Sequence, residues 1–372
     1  KAAIETIYHK YSQLATNLNK SRKKNIADRT VIYVLSESLS DPSRIPGVKM
    51  SRDVLPTINQ LKQRHTSGLM KSDGYGGGTA NMEFQTLIGL PMYNLNTTVS
   101  VLYSDVFPKL NYIPSISNYY KEKNRYAVHL ASANNYSRKT VYSKLNFNKF
   151  IALEGTPDKP KFLKPTSSSY SDQSTYDNVL DYLNPNESQF FSVMTMQNHS
   201  PWYADPGDLE VSKEGFSINE NYNLVNYSKL LELTDKDTKV FLEQLSKVDK
   251  PISVVFYGDH LPGLYPETTF EDNPELKYLT DYFIWSNDSK VKLDYPLLNS
   301  SDFTPALLAH TDSKVSPYYA LLTAVMNKAS VSHRNLTKDQ KVIANDLKLL
   351  EYDLIEGEGY ITRHEDFFLN PR

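Results

Sequence analysis

Four short stretches carry residue types that could do chemistry together: Ser36-Glu37, Tyr75-Gly76-Gly77-Gly78-Thr79, Gln197-Asn198-His199 and Gly258-Asp259-His260. Glu37, Asp259 and His260 offer two carboxylates and an imidazole, a donor set that suits a divalent cation of the Mn, Mg or Zn type with an open position. The glycine run lets an anion approach the backbone closely, and a helix starting near Thr79 favours negative charge at its N-terminus. A hydroxyl placed there beside a cation has its alkoxide stabilised twice, which is nucleophile chemistry. The plainer reading of the same residues is a flexible turn with Thr79 as an ordinary N-cap. The stretch lacks the Gly-Lys-Ser/Thr ending of a P-loop.

These residues need elements to bring them together. Val31–Leu35, Tyr126–Leu130, Phe190–Met196, Ile252–Tyr257 and Tyr282–Trp285 are near-continuous apolar runs of strand length, the pattern of parallel strands covered on both faces. Helical patterns fall between them, at Leu55–Arg64, Ala80–Leu90, Ile116–Glu122, Tyr176–Leu183 and Tyr227–Leu245. The alternation predicts an α/β sandwich with a largely parallel central sheet flanked by helices. Ligands bind beyond the carboxyl ends of such strands, and Glu37, His199 and Asp259-His260 each follow one. The fourth strand carries His129 and is followed within ten residues by Arg138. Taken singly each is weak: an Asp-His pair is often a turn, and His129, inside a strand pattern, reads as a satisfied core residue. Their common end of the sheet is what joins them.

Past about Asp288 the pattern changes to short helices at Phe303–His310 and Pro317–Met326, then a longer one at Thr337–Ile355 opening on a Thr337-x-x-Gln340 capping box. The expected division is a catalytic α/β domain over 1–287 and a smaller C-terminal subdomain over 288–372. With 372 residues, 40% hydrophobic, the chain can bury a large core. A net charge of −2 argues against general attraction to nucleic acid. The absence of cysteine excludes disulfides, thiolate metal ligands and cysteine nucleophiles. No stretch has the roughly 20 apolar residues of a membrane span. Because it opens at Lys1 without an initiator Met, the chain reads as a fragment or processed form, with any anchor lost upstream.

The motifs occur in the order Val31-Ile32-Tyr33-Val34-Leu35-Ser36-Glu37, Gly76-Gly77-Gly78-Thr79-Ala80-Asn81-Met82-Glu83-Phe84, Met196-Gln197-Asn198-His199-Ser200-Pro201 and Tyr257-Gly258-Asp259-His260. The set resembles the lipoteichoic acid synthases and related phosphoglycerol transferases of the alkaline phosphatase and sulfatase superfamily. The resemblance implies that Glu37, Thr79, Asp259 and His260 hold one Mn2+ or Mg2+, with Thr79 as nucleophile. It implies His199 near the reacting phosphate, Arg138 on phosphate or glycerol, and His129 and Tyr136 lining the pocket. Tyr136 stands where those synthases often carry Trp, which puts the acceptor in question. The set also resembles a streptococcal branch that transfers glycerol phosphate to N-acetylglucosamine side chains of a rhamnose-rich wall polysaccharide.

The activity implied moves the glycerophosphoryl group of phosphatidylglycerol, through a covalent threonine intermediate, onto that polysaccharide at the outer face of the bacterial membrane. Polymerisation of lipoteichoic acid is the alternative. A phosphatase or sulfatase of the same superfamily needs a second metal or a formylglycine precursor, for which only His199 and His310 stand in reserve. Phosphoethanolamine transferases share the threonine but are usually disulfide-rich. A binding module for wall polymer has no need of the nucleophile.

Overall fold

The computed structural model describes all residues, Lys1–Arg372. Eight strands form its central sheet: β1 Thr30–Ser36, β2 Thr66–Lys71, β3 Arg125–Ser132, β4 Lys149–Glu154, β5 Phe190–Met194, β6 Ile252–Gly258, β7 Leu279–Ser286 and β8 Asp294–Asn299. Their order is β8-β2-β7-β6-β1-β5-β3-β4. Only β7 runs against its neighbours; all other pairings are parallel. The expected α/β sandwich with a largely parallel sheet is what the chain forms.

Strand β1 shows why. All seven of its residues are buried, and alternate side chains feed two separate cores. Val31, Tyr33 and Leu35 point to one face, where they meet α1 (Ala2–Asn19), α3 (Thr79–Ile88), α8 (Phe303–His310), α9 (Pro317–Lys328) and α10 (Lys338–Ile355). Ile32 and Val34 point to the other, against α2 (Pro56–Arg64), α6 (Asp172–Tyr182) and α7 (Ile218–Ser246). A strand covered on both faces has no polar side, hence the continuous apolar run in its sequence.

Several expectations shift at their edges. Ile116–Glu122 is not a helix but two separate 3-10 turns, Ile116–Tyr119 and Glu122–Asn124. The Ser115 hydroxyl accepts from the Ser117 amide and pairs with the Ser117 hydroxyl, offering the backbone a local alternative to helical bonding. Helix α7 begins nine residues before Tyr227, on a Ser217/Glu220 capping box. Beyond Asp288, β8 pairs with β2 inside the central sheet, and α8, α9 and α10 share the core that lies over β1.

Candidate active site and metal centre

The carboxyl ends of β1, β5 and β6 lie side by side, since Leu35 is in register with both Tyr257 and Met194. Each chain exit is then tied to the next. The Glu37 amide donates to Thr195 Oγ1 at 2.9 Å, and the Ser38 amide to Asp259 Oδ1 at 2.7 Å. Gly258 ends β6 where a Cβ would lie 1.8 Å from the Leu39 carbonyl oxygen, so no larger residue fits. Tyr227, reaching from α7, donates its hydroxyl to the Ser38 carbonyl.

The result is a compact donor set. Glu37, Asp259 and His260 are all buried, and one ligand atom from each lies within 4.8 Å of the others. The His260 Nδ1–H donates to the Leu261 carbonyl at 2.7 Å, which turns Nε2 toward the two carboxylates. Burial and the nearby Asp259 charge push Glu37 well above the usual carboxylate range. Burial acts the same way on Asp259, but His260, Glu37, Thr79 and the Ser38 amide together hold it lowered. Two carboxylates with no cation between them thus resist joint ionisation. A divalent cation relieves that conflict, so the donor set fits the metal the resemblance implied.

Thr79 joins the same group. The turn before it needs positive φ at Gly76 (+65°) and Gly78 (+81°), and the Gly76 amide donates to the carbonyl of Leu261, next to His260. Gly78, not Thr79, is the N-cap of α3, and no side chain caps that helix. The Thr79 hydroxyl instead donates to Asp259 Oδ2 at 2.7 Å, with Glu37 Oε2 at 3.4 Å and His260 Nε2 at 3.3 Å. A capping hydroxyl would turn back onto its own helix. The Thr79 hydroxyl, one residue inside the cap, faces the donor set.

Behind this group lies an ion pair that side-chain type alone did not reveal. Arg138, fully buried at the start of α5 (Arg138–Lys144), donates from Nε to Glu83 Oε1 at 2.9 Å, with Nη2 at 2.8 Å from the same oxygen. Burial works against the guanidinium charge, but Glu83 outweighs it and keeps Arg138 protonated. Glu83 also accepts from the hydroxyls of Tyr103 and Tyr142, at 2.9 and 2.6 Å. Arg138 Nη1 reaches His129 Nε2 at 3.1 Å, while His129 Nδ1 donates to the Met194 carbonyl. Burial and Arg138 lower His129 to about 3, so it is a neutral acceptor. Nη2 of Arg138 is buried with no well-aligned acceptor. A donor left open in this way suits an incoming anionic oxygen.

His199 and Tyr136 stand at the mouth. His199 is half exposed; its Nδ1–H donates to the Ser200 carbonyl at 2.6 Å, and Nε2 lies 4.0 Å from Glu37 Oε1. Tyr136, in the left-handed region at φ 56°, stacks its ring on Arg138, 5.2 Å from the guanidinium carbon. His310 does not join them: its Nδ1 contacts the hydroxyl of Thr66, at the opposite end of β2. Glu83 was detectable in principle, since it is the one charged residue of α3 and sits in a run, Ala80 to Ile88, that is buried throughout.

The sulfatase family model matches residues 29–313, which contain every one of these residues. The chain belongs to the sulfatase family. A Streptococcus pyogenes phosphoglycerol transferase, GacH, solved in complex with sn-glycerol-1-phosphate, is 57% identical over 100% of this chain and 97% of that one, at a TM-score of 0.98. The lipoteichoic acid synthase LtaP of Listeria monocytogenes superposes at a TM-score of 0.55 over 82% of this chain and 78% of its own, with 18% identity; that likeness is one of fold. Among curated proteins, a putative cyclic beta-1,2-glucan modification protein of Rhizobium meliloti is 26% identical over 91% of this chain and 56% of its own length. The capsular polysaccharide biosynthesis protein RkpI of the same organism is 29% identical over 62% of this chain and 40% of its own. The chain spans about half the length of the curated relatives it matches.

Proposed function

We propose that this sulfatase-family chain is a phosphoglycerol transferase that takes the glycerophosphoryl group of phosphatidylglycerol onto Thr79 and passes it to a hydroxyl of a cell-wall polysaccharide. The observation that carries the reading is the Thr79 hydroxyl, turned away from its own helix and onto Asp259 at 2.7 Å within the Glu37, Asp259 and His260 group. Glycerol phosphate as cargo rests on the relative GacH, which was solved with sn-glycerol-1-phosphate.

Glu37, Thr79, Asp259 and His260 would hold the Mn2+ or Mg2+, which when bound lowers the pKa of a coordinated hydroxyl and neutralises phosphoryl charge. The protein's own groups do the rest. Asp259 orients the Thr79 hydroxyl and holds its hydrogen. Arg138, fixed by Glu83 and His129, turns Nη2 toward the phosphoryl oxygens as charge builds on them. Thr79 Oγ1 gives its proton to Asp259 and forms the new bond to phosphorus, and the bond from phosphorus to the diacylglycerol oxygen breaks. His199, at the open side of the site, gives that oxygen its proton. In the second half the acceptor hydroxyl loses its proton to His199 and attacks phosphorus, the Thr79 ester breaks, and the Thr79 oxygen takes its proton back from Asp259. Tyr136 forms one wall for the glycerol or acceptor, with His129 behind Arg138.

The proposed acceptor is the N-acetylglucosamine side chains of a rhamnose-rich polymer, at the outer face of the membrane. The near-complete match to GacH, against a fold-level match to LtaP, favours transfer over polymerisation of lipoteichoic acid. Head-group release separates phosphoglycerol transfer from phosphoethanolamine transfer: diacylglycerol should appear from phosphatidylglycerol and not from phosphatidylethanolamine, and Thr79→Ala should abolish it with the fold intact. Turnover retained in Thr79→Ala, or equal release from both lipids, would overturn the assignment.

A further inference from the structure

We propose that the segment joining β4 to α6 is a contact surface for an anionic lipid bilayer, which sets the mouth of the catalytic site against the membrane that holds its donor. The proposal rests on the phosphatidylglycerol reading above.

The segment contains Lys159-Pro160-Lys161-Phe162-Leu163-Lys164-Pro165: three lysines, two large apolar residues and no acid. In a chain of net charge −2 that is a local excess of positive charge. Phe162 and Leu163 are 38% and 45% exposed, although their backbone is firmly held. The buried Asn178 of α6 accepts from the Lys161 and Phe162 amides at 2.9 and 3.2 Å and donates to the Phe162 carbonyl at 2.8 Å. The Ser171 amide closes the far side onto the Lys164 carbonyl. A buried amide side chain therefore fixes a short stretch whose apolar side chains point to solvent. Ordinary loops show the opposite arrangement, with mobile backbone and polar tips.

The same segment is attached to the catalytic rim. It continues as a hairpin of Pro165–Thr166 with Ser169–Tyr170, whose turn bonds the loop carrying His199. Ser168 Oγ donates to the His199 carbonyl at 3.2 Å and Ser167 Oγ to the Pro201 carbonyl at 3.3 Å. The Tyr203 amide donates back to Ser167 Oγ, and Tyr203 beside this turn is 55% exposed. Rings with a polar tip, lysines on apolar stems and bare apolar side chains are what the headgroup layer of a bilayer accepts. Lys161 lies 3.6 Å from Asp181, but at 68% and 31% exposure that pair is weak. Asp158, just before the stretch, is taken up by Lys149 and the Phe150 amide, and Asp177 and Asp237 sit on α6 and α7, Asp237 accepting from the Gln173 amide. A polyanionic wall polymer would pair with the lysines and stack a sugar ring on Phe162, but it offers nothing to Leu163. That difference favours the bilayer.

The test is sedimentation of the chain with vesicles of equal parts phosphatidylglycerol and phosphatidylcholine, beside pure phosphatidylcholine. Binding to the anionic vesicles, weakening as salt rises, is expected. Phe162→Ser with Leu163→Ser should weaken it by roughly tenfold, and Lys161→Gln or Lys164→Gln by about fivefold each at low salt. A parallel assay compares phosphatidylglycerol in vesicles with a short-chain form dissolved below its micelle concentration. The double variant should raise KM for the vesicle donor and leave turnover of the dissolved donor unchanged. Vesicle binding equal to the parent chain, or loss on both donors alike, overturns the proposal; so does loss of binding to purified wall polysaccharide with vesicle binding kept. Sedimentation needs no turnover, so failure of the phosphatidylglycerol reading would show separately, as absence of release from either donor.

Discussion

Replacing Glu83 by Gln tests whether the buried ion pair behind Thr79 positions Arg138. Both side chains are nearly fully buried, at 2% and 3% exposure, so solvent cannot compensate a lost partner. Breaking such a pair from one side costs about 3–5 kcal/mol. Unfolding entropy near 2.1 cal/mol/K per residue gives about 0.8 kcal/mol/K for 372 residues, so Tm should fall by roughly 4–6 °C. The guanidinium also loses the negative charge that anchors it through Nε, and a displacement of about 1 Å at a reacting group can cost ~100-fold in rate. Steady-state transfer from phosphatidylglycerol, run beside thermal unfolding, reads both effects. The expected result is a fall in kcat/KM near two orders of magnitude together with the Tm shift. Pairing Glu83→Gln with Arg138→Gln should destabilise less than the sum of the two, since the second change removes the stranded charge. Unchanged Tm and kcat/KM in Glu83→Gln would refute the positioning argument.

Other outcomes follow from the same geometry. Adding Mn2+ should raise Tm and chelation should reverse it, because the cation relieves the Glu37–Asp259 conflict; ligand at about 100 times its Kd is worth about 2.7 kcal/mol. Burial raises Asp172 to about 7, above an unfolded value near 3.8, so its ionisation favours the unfolded chain and stability should fall as pH rises between those values. Asp172→Asn should remove that slope, with a gain of up to about 4 kcal/mol at pH 8, measured by urea unfolding at pH 5 and pH 8. Asp281, buried between Arg44 and Lys62 at 2.8 and 2.7 Å, is held below the usual carboxylate range by those charges despite its burial. Asp281→Asn should therefore cost about 3–5 kcal/mol at neutral pH, and the difference should shrink as acid protonates the parent carboxylate.

Much of the site was legible because strand ends are marked by abrupt changes from apolar to polar residues. Val31–Leu35 into Glu37 and Ile252–Tyr257 into Asp259 are such changes, and their shared rim follows from the parallel order of the sheet. What escaped had weaker local signals. β2 reads Thr-Ser-Gly-Leu-Met-Lys with little apolar content, and its Gly68 leaves no room for a Cβ beside Pro296. β8 is an edge strand with a proline inside it. β7 was visible as an apolar run, but a strand buried on both faces reads the same in either direction. Helix α1 buries Ile4, Ile7, Tyr11 and Ala15 at helical spacing, a pattern that was present in the chain and not taken up. Glu83 could not be assigned a partner because Arg138 lies 55 residues away, across the sheet rim.

The most direct measurement of the central claim is the mass of the peptide bearing Thr79 after the metal-loaded chain meets phosphatidylglycerol without acceptor. A glycerophosphoryl group on Thr79, lost when acceptor polysaccharide is added and absent from Thr79→Ala, is the predicted result. Diacylglycerol release with no adduct on Thr79, or an adduct on another side chain, would contradict it.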